Sequence, residues 1–385
     1  MKKYIGLSLV VASVLNADVT DMVKNGTVEG EFRTFYSGID NKNDTDVFAT
    51  AVGGRLFYKL ASYNNFGGGV EFTTSQDINF LSGDDGHRNT NLSSKDGSYT
   101  TVSQVYLSYE KDAFKVVAGR QNLDVPFADG DDVRIVSNSF EAYTLAYEKD
   151  SLSFLGGFVT SWQGTDAGLD NGWSAVGKNG MGFGGISYED DIYSLSGWVF
   201  DVDGTKDDEV ANTTYYVDGS YALTENLTLS AQYLKQVEKD SSGVEATIFG
   251  LMAEVETNDV IFSLAYNNSL KEDAKQSFSG FGGGTLFTSM DSEILDNITK
   301  DRGAYAICAT AGYSYHNFGF GYAYGDFNGN NNSANEQAHV VEQDLMVEYL
   351  FSDNASIETT MVMVDDREST NEDSNNLRVK FSYNF

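Results

Sequence analysis

Leu377-Arg378-Val379-Lys380-Phe381-Ser382-Tyr383-Asn384-Phe385 decides how the rest of the sequence is read. Leu377, Val379, Phe381, Tyr383 and Phe385 share one face of an extended chain. Arg378, Lys380, Ser382 and Asn384 share the other, because successive side chains on a strand point to opposite sides. Such a strand has one oily wall and one wet, cationic wall. A soluble sandwich edge alternates in the same way, but terminal residues fray unless something ties them down. A membrane barrel supplies the tie, because its last strand must pair with its first to remove the open edge. The segment therefore predicts a closed transmembrane β-barrel.

Working outward, the same two-face pattern recurs. Leu227, Leu229, Ala231 and Tyr233 alternate with Thr228, Ser230 and Gln232; Tyr215, Val217 and Tyr221 alternate with Tyr216, Asp218 and Ser220. Phe318, Phe320, Tyr322 and Tyr324 follow suit, as do Leu345, Val347, Tyr349 and Phe351. Each segment is about 10 residues long, enough to cross a bilayer when tilted. Short polar turns near 62–65, 110–112, 148–150, 189–191, 224–226, 256–259, 315–317 and 352–354 alternate with longer Asp/Asn/Gly/Ser loops near 37–46, 76–97, 122–139, 164–180, 201–211, 237–243, 268–302, 327–337 and 365–375. Short periplasmic turns and long extracellular loops are the rule for outer-membrane barrels, and counting around them gives about 18 antiparallel strands. The fold class is all-β.

Composition agrees. One proline suits a chain made of ladder-forming strands, and 23 Tyr with 25 Phe suit interfacial girdles. A disordered acidic chain is poor in aromatics. The net charge of −32 disfavours nucleic acid. Mean hydropathy is only −0.32, as expected when half of every strand faces water. Lys2, Lys3, the apolar run Tyr4–Leu15 and small Ala17 read as a cleaved export signal over residues 1–17, leaving a single barrel domain over 18–385. No later run is apolar for about 20 residues, which excludes spanning helices. Cys308 cannot form an internal disulfide and reads as an inert buried thiol. In the first mature strand, Glu29, Glu31 and Arg33 fall on one face and Val28, Phe32 and Tyr36 on the other. The charged face is expected to sit beside Arg378 and Lys380 across the closing seam.

The most distinctive stretch runs from Val117 to Phe140. Gly119-Arg120-Gln121 ends a strand, Asp124-Val125-Pro126-Phe127 makes a turn, and Asp131-Asp132-Val133-Arg134 precedes Asn138 and Phe140. This stretch, the opening Asn25–Tyr36 strand and the aromatic last strand resemble the OprD-like porins and, more closely, the major outer-membrane porins of Campylobacter. The resemblance implies an 18-stranded porin, commonly a homotrimer, whose third loop folds into the lumen and faces acidic loop residues against basic wall residues.

On that basis the expected wall of the constriction is Arg33, Arg55, Arg120, Arg378 and Lys380 with Glu29 and Glu31, and the expected loop side is Asp124, Asp129, Asp131, Asp132 and Arg134. Rings of charge in a narrow wet neck set which ions pass. Clustered oxygens at Asp129, Asp131 and Asp132 also suit Ca²⁺, although the full calcium-loop spacing is missing. Gly280–Gly284 lacks the Lys-Ser/Thr of a phosphate loop and reads as a flexible outer loop. The expected function is passive diffusion of ions and small hydrophilic solutes with a mild cation preference; the alternative is a substrate-selective channel for small charged nutrients such as amino acids or carboxylates. His87, His316 and His339 lie in or beside loops and turns with no nucleophile motif near them, which argues against an enzyme. The expected partners are outer-membrane lipid, lipopolysaccharide, two further copies of the chain, and the barrel-assembly machinery through Phe385.

Overall fold

The computed structural model describes residues 19–84, 86–204, 209–368 and 373–385. The expected export signal lies outside them. The first six barrel strands are β1 Thr27–Asn41, β2 Val47–Tyr63, β3 Phe66–Asp77, β4 Ser98–Lys111, β5 Phe114–Gln121 and β6 Ser139–Lys149. The next six are β7 Leu152–Gln163, β8 Met181–Glu189, β9 Tyr193–Val202, β10 Asn212–Thr224, β11 Leu227–Glu238 and β12 Ala246–Glu256. The last six are β13 Val260–Ser269, β14 Ala304–Tyr315, β15 Phe318–Gly329, β16 Ala338–Ser352, β17 Ala355–Asp366 and β18 Ser374–Asn384. Successive strands pair antiparallel, and β1 pairs with β18 to close an 18-stranded barrel.

The seam runs from Glu31 opposite Asn384 to Asn41 opposite Ser374. Beyond it, Gly30 and Phe385 exchange backbone hydrogen bonds of 2.9 and 3.0 Å, so the terminal aromatic belongs to the ladder. A side chain at position 30 would collide with the Phe385 ring. The expected charge pairing across the seam does not occur. Phe35 stands opposite Lys380 and Ser37 opposite Arg378, which leaves Glu29 and Glu31 further down β1. Lys380 turns instead to Glu358 on β17, at 3.4 Å.

The alternation read from the sequence sorts the two faces. Val217, Leu229, Tyr233, Leu345 and Val347 are exposed on the outside, whereas Tyr216 and Gln232 are buried inside. Aromatic pairs flank the short turns: Phe66–Tyr109, Phe114–Tyr147, Tyr193–Tyr221 and Phe318–Tyr349 have ring centroids 5.0, 4.8, 5.3 and 4.7 Å apart. Rings with one apolar side and a polar tip favour the membrane–water boundary, so this rim reads as a girdle.

Inside, the bore is only partly open. The β5–β6 loop (residues 122–138) and the β13–β14 loop (residues 270–303) both turn inward. Leu123, Val125 and Phe127 of the first join Phe281, Leu286 and Leu295 of the second, packed on Phe140, Val159, Phe200, Leu234 and Ile248 of the wall. Ile135 and Val136 join Leu92 and Leu169 of two other loops against Phe35, Ala49 and Ala51. Burying each large apolar side chain is worth about 1.5–3 kcal/mol, which holds these loops as parts of the core. Gly280–Gly284 is therefore not an outer loop. The Phe281 amide donates to the Phe127 carbonyl at 3.0 Å, and the Asp129 amide donates to the Phe281 carbonyl at 3.1 Å. That approach requires glycine: a Cβ at Gly280, whose φ is +97°, would lie 2.8 Å from the Phe127 Cα.

Candidate functional site

The inward β5–β6 loop is built around its proline. Asp124–Val125 and Ala128–Asp129 form a miniature hairpin with Pro126 and Phe127 at the bend. Proline presets the backbone for such a turn. The Phe127 ring packs on Phe200 and Tyr216 of the wall, with centroids 5.2 and 6.3 Å away. The chain then doubles back, and the Asn138 amide donates to the Gly130 carbonyl at 2.6 Å. The Asn138 side chain, almost fully buried, donates to the Asp129 carbonyl at 3.2 Å and to Asp166 at 2.6 Å. The charged tip, residues 131–134, is thus held between two fixed ends.

Asp132 meets the wall. Arg33 donates to its two oxygens at 2.9 and 3.0 Å, and Arg55 donates at 2.8 Å. Glu31 holds the same two guanidiniums, at 2.7 Å from Arg33 and 2.9 Å from Arg55. Arg33 also donates to the Arg134 carbonyl, and Lys380 reaches the Val133 carbonyl at 3.4 Å. Two cations and two anions therefore lock the loop tip onto β1 and β2. From the other side the β13–β14 loop brings Asp291, which accepts two hydrogen bonds from Arg378, one of 2.7 Å. Its Ser292 and Glu293 amides donate to Glu342 on β16 at 2.9 and 2.5 Å.

Val133, Asp291 and Arg378 line both the cavity of about 550 Å³ on the long-loop side and the one of about 530 Å³ on the short-turn side. They mark the neck between the two. Above it, Arg134 stands 3.5 Å from Asp131 and 3.8 Å from Asp166. Burial, then the neighbouring Asp166, pushes the Asp131 carboxyl up to about 6 against the pull of Arg134. Below the neck, strand register sets Glu110, Glu148, Glu189, Glu254, Glu256 and Glu348 on the lumen face near the short turns, with Lys59 and Lys115 as the cations there. The arrangement is a charged neck above an acidic vestibule.

No family model and no curated protein sequence matches the chain. Solved structures do. Acinetobacter baumannii OccAB4 superposes with a TM-score of 0.77 over 94% of this chain and 98% of its own, at 16% identity. A. baumannii OccAB3 gives 0.77 over 94% and 100%, at 14% identity. Pseudomonas aeruginosa OpdK, solved with vanillate, gives 0.76 over 94% and 100%, at 14% identity. The chain has the fold of the OprD-like porins.

Within this porin fold the site residues expected from sequence separate into groups. Arg33, Arg55, Glu31 and Asp132 come together, Arg378 and Lys380 stand beside them, and Asp131 and Arg134 sit just above. Glu29 lies lower, lining a cleft with Glu71 and Asn384. Asp124 is exposed at the start of the miniature hairpin. Arg120 is not in the bore. It shares the outer face of β5 with the exposed Val116, while Val117 and Gln121 are turned inward and buried, and its guanidinium lies 4.3 Å from the Trp173 ring. Asp129, Asp131 and Asp132, the residues expected to suit Ca²⁺, turn to separate partners: Asp132 faces Arg33 and Arg55, Asp131 faces Arg134, and Asp129 accepts the Asp131 amide at 3.1 Å. Among the described residues no group of three acidic, His or Cys side chains is placed to hold a metal. Asp291, Glu358 and Asp166 were not expected. The signal for Asp291 was in the sequence, since a loop as long as 270–303 that carries Phe278, Phe281, Leu286 and Phe287 is too apolar to lie in water.

Proposed function

We propose that this chain is an outer-membrane porin passing ions and small hydrophilic solutes by diffusion, with a mild preference for cations. The neck carries the reading. Within a barrel that is oily outside, opposed charges on wall and loops narrow a passage along β1, β2 and β16–β18. A solute crossing there exchanges part of its hydration for these side chains, so the neck's width sets a size limit and its charge sets an ion preference. Each of the wall cations Arg33, Arg55, Arg378 and Lys380 is already paired with an acid. The acidic vestibule then gives the passage its sign, because a negative mouth concentrates cations. Single-channel recording in a KCl gradient tests this: a reversal potential on the potassium side supports it, and one on the chloride side refutes the preference.

A substrate-selective channel for small charged nutrients is the second reading, favoured by the Arg-lined wall. The pairing of those arginines argues against it, because a carboxylate-bearing solute must displace Asp132 or Asp291 to reach them. Saturating amino-acid or carboxylate flux in liposomes favours this reading over simple diffusion. The proposal also places the protein in the outer membrane after export, delivered by the barrel-assembly machinery through its Phe385 strand, among lipopolysaccharide, and as a homotrimer. It assigns no catalytic step to the chain.

A further inference from the structure

Arg120 is a charged side chain on the wall that faces lipid. Around it the outer surface is apolar: Val105, opposite it on β4, is 47% exposed, and Tyr143, one turnaround away on β6, is 56% exposed. Its height is set by the strand. Arg120 lies seven residues beyond the β4–β5 turn at Ala113, which is about 23 Å along the strand and roughly 18 Å in height at the usual tilt. The apolar band of such barrels is about 25 Å tall, so the guanidinium sits near its upper edge, within a side chain's reach of the outer-leaflet headgroups.

An arginine there is costly unless an anion answers it. Glu141 answers only in part, at 3.7 Å from Nε, and both groups are more than a quarter exposed. Trp173, carried over from the β7–β8 loop, covers one face of the guanidinium and leaves its edge open. Among the described residues no hydrogen bond to the two terminal nitrogens is formed. A planar fork of donors, shielded from water on one face and bordered by apolar wall, suits a phosphate that accepts two parallel hydrogen bonds. We propose that Arg120 and Trp173 form an exterior site for the phosphate of an outer-leaflet lipid, with the acyl chains lying along Val105 and Val116. This rests on the outer-membrane reading above, but on a surface that the passage does not use.

The test reconstitutes the full-length protein in phosphatidylcholine vesicles containing lipid A, dephosphorylated lipid A or neither, and counts retained lipids by native mass spectrometry after mild extraction. The wild type should retain phosphorylated lipid A and not the dephosphorylated form. Arg120→Gln should weaken retention about tenfold, the scale of one lost charge-assisted hydrogen-bonded pair. Glu141→Gln should strengthen it several-fold by removing a competing carboxylate. If Arg120→Gln folds poorly, Trp173→Ala serves as the second variant and should also weaken retention. Equal retention by wild type and Arg120→Gln overturns the proposal, and so does equal retention of the two lipid A forms. Inorganic phosphate retained by the wild type and lost on Arg120→Gln in lipid-free detergent, with no lipid A retained, would overturn the lipid assignment in favour of a free ion. A change of oligomeric state in lipid-free detergent on Arg120→Gln would show instead that the face meets a second copy. Channel conductance of the wild type, measured in the same vesicles, separates failure of this site from failure of the membrane reading.

Discussion

Replacing Asp132 by Asn removes the one loop carboxylate that both Arg33 and Arg55 engage. Two effects follow, and the geometry separates their sizes. Anchoring of the loop weakens by about 1–2 kcal/mol rather than the 3–5 of a fully buried pair, because the Asp132 side chain is 42% exposed. Glu31 also remains at 2.7 and 2.9 Å to hold both guanidiniums. The electrical effect is larger in proportion. A unit charge 4 Å from an ion in water is worth about 1 kcal/mol, and the Debye length of about 10 Å at 0.1 M salt leaves that mostly unscreened. Losing one negative charge both weakens attraction for potassium and relieves repulsion of chloride. Over the distances available in a wet neck, the permeability ratio should fall about three- to tenfold toward anions. Planar-bilayer reversal potentials in a KCl gradient measure the ratio, and heat-modifiable gel mobility confirms that the barrel is folded. A folded variant with the wild-type ratio would refute the placement of Asp132 at the neck.

Lowering the pH through about 6 should protonate Asp131 and reduce cation preference, with the midpoint near 6 rather than near an ordinary aspartate's 3.8. The sign for stability agrees: the fold favours the protonated form, so this group stabilises most at low pH and loses that contribution as pH rises from about 4 through 6; Asp131→Asn should abolish the pH step. Phe127→Ala should cost about 3–5 kcal/mol of core packing and raise single-channel conductance, because it unpins both inward loops; unchanged conductance in a folded variant contradicts their role in narrowing the bore. Arg378→Gln strands Asp291 at the neck and should raise cation preference several-fold, read by the same reversal potential. Arg120→Gln should leave that potential where it is, since the guanidinium lies on the other side of the wall.

The barrel was legible because a period of two is a local property that every strand repeats. Leu377 to Phe385, Leu227 to Tyr233 and Phe318 to Tyr324 each state which side faces lipid, and the structure sorts them accordingly. The eight short turns were equally visible. What failed were statements about one residue's side of the wall or its partner across the bore. Arg120 was placed in the bore by the resemblance of the stretch that carries it, but the phase of β5 puts it outside. The seam pairing failed for a related reason: composition shows opposite charges on β1 and β18, whereas register alone decides that Lys380 meets Phe35. The apolar residues of the β13–β14 loop signal that it folds inward, but that Asp291 then meets Arg378 is a tertiary pairing no local pattern encodes. The clustered aspartates of the inward loop suggested calcium, but arginines from distant strands claim Asp132 first.

In the proposed function, solutes pass along the charged side of the bore and not through its packed side. With Cys308 replaced by alanine, a single thiol introduced at Thr360, on the lumen face of β17 beside Arg378, should react with a charged methanethiosulfonate and lower the current in steps. A thiol at Leu234, in the apolar cluster, should leave the current untouched. Block from the packed side, or none from Thr360→Cys, would contradict this route.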